Sequence, residues 1–170
     1  MHVVLVAPEI APNTGNIIRL CANTGSTLHL IEPLGFAMDD RLLKRAGLDY
    51  HELAEVTVHP SLDAASGVLT GRWFGFSSSG RRRYTDVSFK PDDVLLFGAE
   101  RAGLPDAARV ALGTQRVLTI PMVAGNRSLN LANAVSIVVY EAWRQHGFGD
   151  SAQEITTLTS ETPGADPFDL

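Results

Sequence analysis

The chain has almost no cysteine: Cys21 stands alone among 170 residues. One cysteine cannot make an internal disulfide, and no Cys/His cluster has zinc spacing. A reducing compartment and a metal-free protein are expected. The N-terminus lacks a basic segment ahead of an apolar run, so it does not read as a signal peptide. No apolar stretch reaches the roughly twenty residues that a membrane span needs. These absences point to a soluble, cytoplasmic protein without a membrane partner. Phosphate-binding glycine signatures are also missing. No G-x-G-x-x-G follows a strand and no G-x-x-x-x-G-K-[ST] occurs, which disfavours ordinary dinucleotide and P-loop sites. No Ser-His or Cys-His nucleophile pair stands out. His2, His29, His51, His59 and His146 are scattered along the chain and read as structural or exposed.

An excess of basic charge is lacking as well, since the net charge is −5. The location of the acids matters more than the total. Residues 150–170 hold Asp150, Glu154, Glu161, Asp166 and Asp169 and no Lys or Arg, which leaves fourteen acids against fourteen bases in the rest. RNA binding is therefore permitted and would have to use local patches. The tail is rich in Thr, Ser, Pro and Gly and is expected to be mobile. The division expected is one domain over 1–149 and an acidic flexible tail over 150–170. At 45% hydrophobic residues, the chain is long and apolar enough to bury one good core.

What is present alternates between strand and helix. His2–Ala7 is a Val/Leu run of the type buried on both faces of a sheet. Asn13–Asn16 opens a helix to about Thr24, with Gly25 as its stop. Ile17, Leu20, Cys21 and Thr24 can face the core, while Asn16, Arg19 and Asn23 share one polar face. Thr27–Ile31, Glu55–His59, Arg72–Ser77, Asp93–Phe97 and Arg116–Ile120 read as further strands. Asp39-Asp40 starts a short helix, Ser61–Leu69 is helical, and Pro105 begins a helix through Leu112. Ser77–Arg83 reads as a flexible basic loop whose adjacent Arg81, Arg82 and Arg83 could meet phosphate. The alternation implies a mainly parallel sheet covered by helices. In such sheets ligands bind beyond the carboxyl ends of strands. Phe76-Ser77, Gly98 and Ile120 are three such ends, each followed by a Gly- or Ser-containing loop.

The stretch Ile120–Val135 (IPMVAGNRSLNLANAV) carries the most information. Pro121 ends a strand, Gly125 and Asn126 suit a turn, and Ser128 stands where an N-cap would stand. Asn130 and Asn133 fall in the first turns of the helix behind it, where a plain core helix would carry Leu or Glu. A strand end, a glycine loop and a helix N-terminus make a binding corner. The plainer alternative is a buried strand–helix unit with satisfied Asn side chains.

Three segments in order carry a resemblance. Asn13–Arg19 (NTGNIIR), Phe97–Leu104 (FGAERAGL) and Ile120–Met122 with Arg127–Val135 (RSLNLANAV) resemble the motifs of the SPOUT RNA 2′-O-methyltransferases. Arg41–Tyr50 and the Tyr140–Trp143 ending are similar to the subgroup that modifies the wobble nucleotide, cytidine or uridine 34, of leucine tRNAs. The resemblance spans Val3 to about Gly147. It implies an α/β knot fold: a mainly parallel sheet flanked by helices, with a C-terminal trefoil knot. It also implies S-adenosylmethionine as methyl donor without metal, tRNA as substrate, and a homodimer.

Carried over residue by residue, the resemblance implies donor binding by Phe76, Gly98, Ile120 and Ser128. Phe76 departs from the smaller aliphatic residue expected there. The implied catalytic set is Arg19, Asn13, Glu100, Ser128 and Asn130. A guanidinium is a poor base because its pKa exceeds about 12. Arg19 is therefore read as a phosphate clamp that orients the 2′-hydroxyl, with its deprotonation on contact with RNA left open. Arg19, Arg81, Arg82, Arg83, Arg127 and Tyr140 would contact RNA. For Glu100 the plain alternative is a surface ion pair with Arg101 or Arg127. The homodimer has a motive in the residues too, because Val135, Ile137, Val138, Val139, Tyr140, Ala142 and Trp143 offer more apolar surface than one face can bury. Alternatives are the same chemistry on another tRNA or rRNA site, a non-catalytic RNA-binding dimer, and a nucleotide-binding enzyme without RNA.

Overall fold

The computed structural model describes residues 1–37 and 56–149. The expected Asp39-Asp40 helix, the Arg41–Tyr50 segment and the acidic tail lie outside the described residues. The strands are β1 (His2–Val6), β2 (Thr27–Ile31), β3 (Val56–His59), β4 (Trp73–Phe76), β5 (Arg82–Arg83), β6 (Val94–Phe97) and β7 (Val117–Thr119). Among the described residues they form one sheet in the order β3-β2-β1-β6-β4-β7-β5, every pair parallel. The helices are α1 (Ala11–Thr24), α2 (Leu62–Ser66), α3 (Asp106–Leu112) and α4 (Leu131–Gln145).

The Val/Leu run of β1 is buried on both faces because strand side chains alternate. Val3 and Leu5 join Leu28, Leu95 and Leu118 beneath α1 and α4, packed against Ile17, Ile18, Val135, Val138 and Val139. Val4 joins Leu96 and Val117 on the other face, against Ala65 of α2 and Ala108 of α3. Gly25 ends α1 in the left-handed conformation, φ 63°, as expected. The N-cap of α4 differs from the expectation. Ser128 is exposed in the preceding loop, and Asn130 is the cap, its side-chain oxygen accepting from the N–H groups of Ala132 and Asn133. The Ser77–Arg83 segment is also more ordered than expected, since Arg82-Arg83 pairs with Leu118-Thr119 as the edge strand β5.

Three of the histidines are brought together by the parallel register. His2 Nδ1 lies 3.1 Å from His29 Nε2, and His29 Nδ1 lies 3.1 Å from His59 Nε2. His29 thus sits in mid-chain between two imidazoles, with both ring nitrogens engaged. Burial, then the neighbouring His2 and His59, push its pKa down from 6.5 to about 4. The neutral form belongs to the fold, so the unfolded chain takes up more protons between these values. Stability is expected to fall as pH drops from 6.5 towards 4 and then level off, by at most about 3 kcal/mol. Urea unfolding of wild type and His29→Leu at several pH values checks this, because the variant should lose that part of the acid slope. Parallel slopes would show that His29 does not titrate with folding.

Candidate active site at the strand ends

β6, β4 and β7 are neighbours, so the ends at Gly98, Phe76-Ser77 and Ile120 meet. They open into a cleft of about 560 Å³ whose lining also includes Asn13, Glu100, Ser128 and Asn130. Arg19, Arg127, Tyr140 and the Arg81–Arg83 triplet are not among the lining residues. That volume falls within the range of small-molecule and cofactor sites.

The loop after β6 shapes one wall. It folds back on itself, with Gly103 N–H donating to the Ala99 carbonyl at 2.8 Å. Gly98 lies against the Gly103 carbonyl and the Leu104 nitrogen with no room for a Cβ. The Phe76 ring lies flat on Phe97, with centroids 4.6 Å apart and planes 12° apart. This stack takes up the bulk by which Phe76 departs from a small aliphatic residue.

The polar side of the cleft is one connected chain. No side chain of α1 caps its N-terminus. Glu100 instead braces the entry to the helix from the distant loop: its carboxylate accepts from Glu9 N at 2.8 Å, Ile10 N at 3.2 Å and Asn13 Nδ2 at 3.0 Å. A negative group at this place is also favoured by the helix dipole. Asn13 Oδ1 in turn accepts from Asn130 Nδ2 at 2.9 Å. Asn130 Oδ1 then caps α4. Turning either amide over would set like groups against each other, so the chain fixes both orientations. Glu100, Asn13 and Asn130 thereby tie two helix N-termini together beside the cleft. The plain alternative of a surface ion pair for Glu100 gives way to these bonds.

The remaining expected residues lie outside the cleft. Asn16, Arg19 and Asn23 are exposed on one face of α1. Arg127 is exposed in the loop before α4. Tyr140 is 47% exposed on α4 and meets Trp143 edge to face. Arg82 donates from Nη2 to the Asp86 carbonyl at 2.6 Å, while Arg81 and Arg83 are exposed. Sequence reasoning missed Arg109 and Ser79, which line the cleft and touch each other. It also missed Glu9, whose Oε2 accepts from Arg101 N at 3.1 Å. Among the described residues no group of three or more His, Cys, Asp or Glu side chains could hold a metal ion, and no helix is long and apolar enough to cross a membrane.

A parallel α/β sheet with a cofactor-sized cleft at three adjacent strand ends, bordered by an ordered polar chain, defines an α/β protein built to hold a small molecule at its strand ends. Its lineage is more specific: the chain belongs to the SpoU rRNA Methylase family, which matches residues 1–140. The tRNA (cytidine(34)-2'-O)-methyltransferase of Burkholderia ambifaria is 53% identical over 154 residues, covering 89% of this chain and 99% of the relative. A solved structure described by the 2-OH methylation of C/U34 on tRNA is 43% identical with a TM-score of 0.80, covering 86% and 96% of the two chains. The SpoU methyltransferase AviRb from Streptomyces viridochromogenes, in complex with the cofactor AdoMet, is 26% identical with a TM-score of 0.73, covering 86% of this chain and 57% of that one. The fold is thus that of the SPOUT methyltransferases, and membership implies the C-terminal knot.

Proposed function

We propose that the chain, through residues 1–149, is a cytoplasmic S-adenosylmethionine-dependent 2′-O-methyltransferase. Its substrate is the ribose of nucleotide 34, cytidine or modified uridine, in leucine tRNAs, and its working unit is a homodimer. The observation that carries this reading is the Glu100–Asn13–Asn130 chain at the border of a donor-sized cleft. It lies in a chain 53% identical to a relative named as a tRNA (cytidine(34)-2'-O)-methyltransferase.

The residues present fit the donor. Gly98 lets the loop after β6 fold tightly back where a Cβ has no room, which sets that wall of the cleft, and Phe76, Ile120 and Ser128 are among the other lining residues. Backbone groups around Ile120 would read the adenine edge. When bound, S-adenosylmethionine supplies a methyl group on a positively charged sulfur and leaves as S-adenosylhomocysteine. In-line transfer to a ribose oxygen is chiefly a matter of positioning. Asn13, Glu100, Ser128 and Asn130 hold the ribose, and Arg19 clamps the adjacent phosphate and orients the 2′-hydroxyl. Arg81, Arg82, Arg83, Arg127 and Tyr140 steady the rest of the RNA. No metal is required by this chemistry.

The test is to incubate the protein with donor labelled in its methyl group and unmodified total tRNA, then map the label. Label on the 2′-oxygen of nucleotide 34 in leucine tRNAs is expected. Label elsewhere would reassign the substrate, and none with active control enzyme would favour a non-catalytic binder. Neutralising Arg81, Arg82 and Arg83 together is expected to weaken tRNA affinity. The logarithmic salt dependence should become shallower by about two to three, one for each phosphate that the triplet no longer neutralises. An unchanged slope, measured by filter binding, would return the triplet to a solvated edge strand.

A further inference from the structure

Resting on the donor reading above, we infer that Arg109 is a donor-selecting residue whose guanidinium takes the carboxylate of the donor's amino-acid tail. Arg109 belongs to α3, whose Ala108 packs on the sheet face away from α1 and α4. Its side chain nevertheless lines the cleft. Nη1 donates to Ser79 Oγ at 3.2 Å, which joins α3 to the loop after β4. Ser79 is itself held, its Oγ lying 2.9 Å from Ser77 Oγ and its N–H donating to Ser77 Oγ at 3.3 Å. Nη2 donates to Asp106 Oδ1, a pair with side chains 40% and 86% exposed. An ion pair so exposed holds the guanidinium only weakly. The planar fork keeps N–H donors for a second carboxylate, and two-pronged pairing with a carboxylate is what that fork does best.

The charge layout says where the tail goes. The charged residues that line the cleft are Glu100, Arg101 and Arg109. Glu100 is fixed at the Asn13 side, and Glu9 stands beside it, accepting from the Arg101 N–H. A carboxylate placed near Arg101 would face both of these carboxylates. On the side of Ser77–Ser79 it meets Arg109 and the serine hydroxyls, and the carboxylate beside that guanidinium is Asp106, 86% exposed and so screened by solvent. The tail's carboxylate is directed there, and the sulfur is left towards Asn13 and Asn130.

Calorimetry with S-adenosylhomocysteine and its decarboxylated analogue, which keeps the adenosine, the sulfur and the amine, tests this without RNA. Wild type should prefer the intact ligand. Arg109→Ala should weaken the intact ligand by about 10- to 100-fold, the worth of one charge-assisted contact, and leave the analogue unchanged. Arg109→Lys should keep part of the preference, and Arg101→Ala all of it. Equal weakening of both ligands by Arg109→Ala would show a role in cleft shape and overturn the inference, as would no change in either. If folded wild type binds neither ligand, the donor reading itself fails and takes the inference with it.

Discussion

Gly98→Ala is expected to remove donor binding and to destabilise the protein by about 3 kcal/mol or more. The reason is backbone against backbone. A Cβ on Gly98 would overlap the Gly103 carbonyl and the Leu104 nitrogen. Neither neighbour is the far end of a flexible side chain, so nothing can swing aside. Overpacking a buried site costs about 1–3 kcal/mol when side chains absorb it, and more when the backbone must move. Here the move would open the turn closed by Gly103 N–H and the Ala99 carbonyl, and with it the cleft wall. Glu100 sits inside that turn and braces the entry to α1, so the disturbance would spread to Asn13 and Asn130. Gly103→Ala offers a contrast in the same loop. Its added Cβ meets nothing within 4 Å, but its φ of +70° is a left-handed conformation. That costs about 1–2 kcal/mol without any backbone collision. Urea unfolding with calorimetry on S-adenosylhomocysteine separates the two. Gly103→Ala should bind within a few fold of wild type, and Gly98→Ala should bind not at all. A Gly98→Ala protein of normal stability that binds the ligand would show that this overlap is not what shapes the site.

The parts of the architecture that depend on local pattern were readable from the residues. A Val/Leu run with burial on both faces means a central parallel strand, and β1 is one. Strand ends followed by Gly or Ser mark a ligand corner, and those at Phe76, Gly98 and Ile120 do meet. What escaped depends on tertiary pairing. Glu100 braces the entry to a helix that begins some ninety residues earlier, and no local signal announces that. Ser128 and Asn130 are both good N-caps two residues apart, so composition alone could not choose between them. Arg82-Arg83 has no apolar alternation and becomes a strand only because β7 offers an edge. His2, His29 and His59 are far apart in sequence, and the parallel register alone puts them on one diagonal. Arg109 reads as the partner of Asp106 on a helix surface, and its reach to Ser79 appears only in three dimensions.

Two inactive variants, Arg19→Ala and Asn130→Asp, are expected to restore activity to each other when mixed. The apolar surface of α4 is a weaker argument for a dimer than it was in sequence, because Val135, Val138, Val139 and Ala142 are fully buried in their own subunit. The placement of Arg19 is a stronger one. It is exposed on α1 beside Asn16 and Asn23 and is not among the residues that line the cleft. α1 and α4 pack on each other over one core that includes Ile17, Ile18, Val135 and Val138. Their outward faces, with Arg19 and Tyr140, therefore form one surface. A two-fold axis through that surface would carry Arg19 of one protomer towards the Asn13–Asn130 side of its partner. Asn130→Asp keeps an oxygen to cap α4 but cannot donate to Asn13 Oδ1, and it sets a carboxylate against that oxygen. Each variant alone should lose activity by about a hundredfold or more through misplaced groups. In an equal mixture half the dimers are mixed, and one of the two sites in each is intact. Activity should return to about a quarter of wild type after subunit exchange. A site complete within one subunit predicts no recovery at all. A mixture as inactive as its parents, with exchange proven by mass spectrometry of tagged subunits, would defeat the shared site, and so would a monomeric mass at assay concentration.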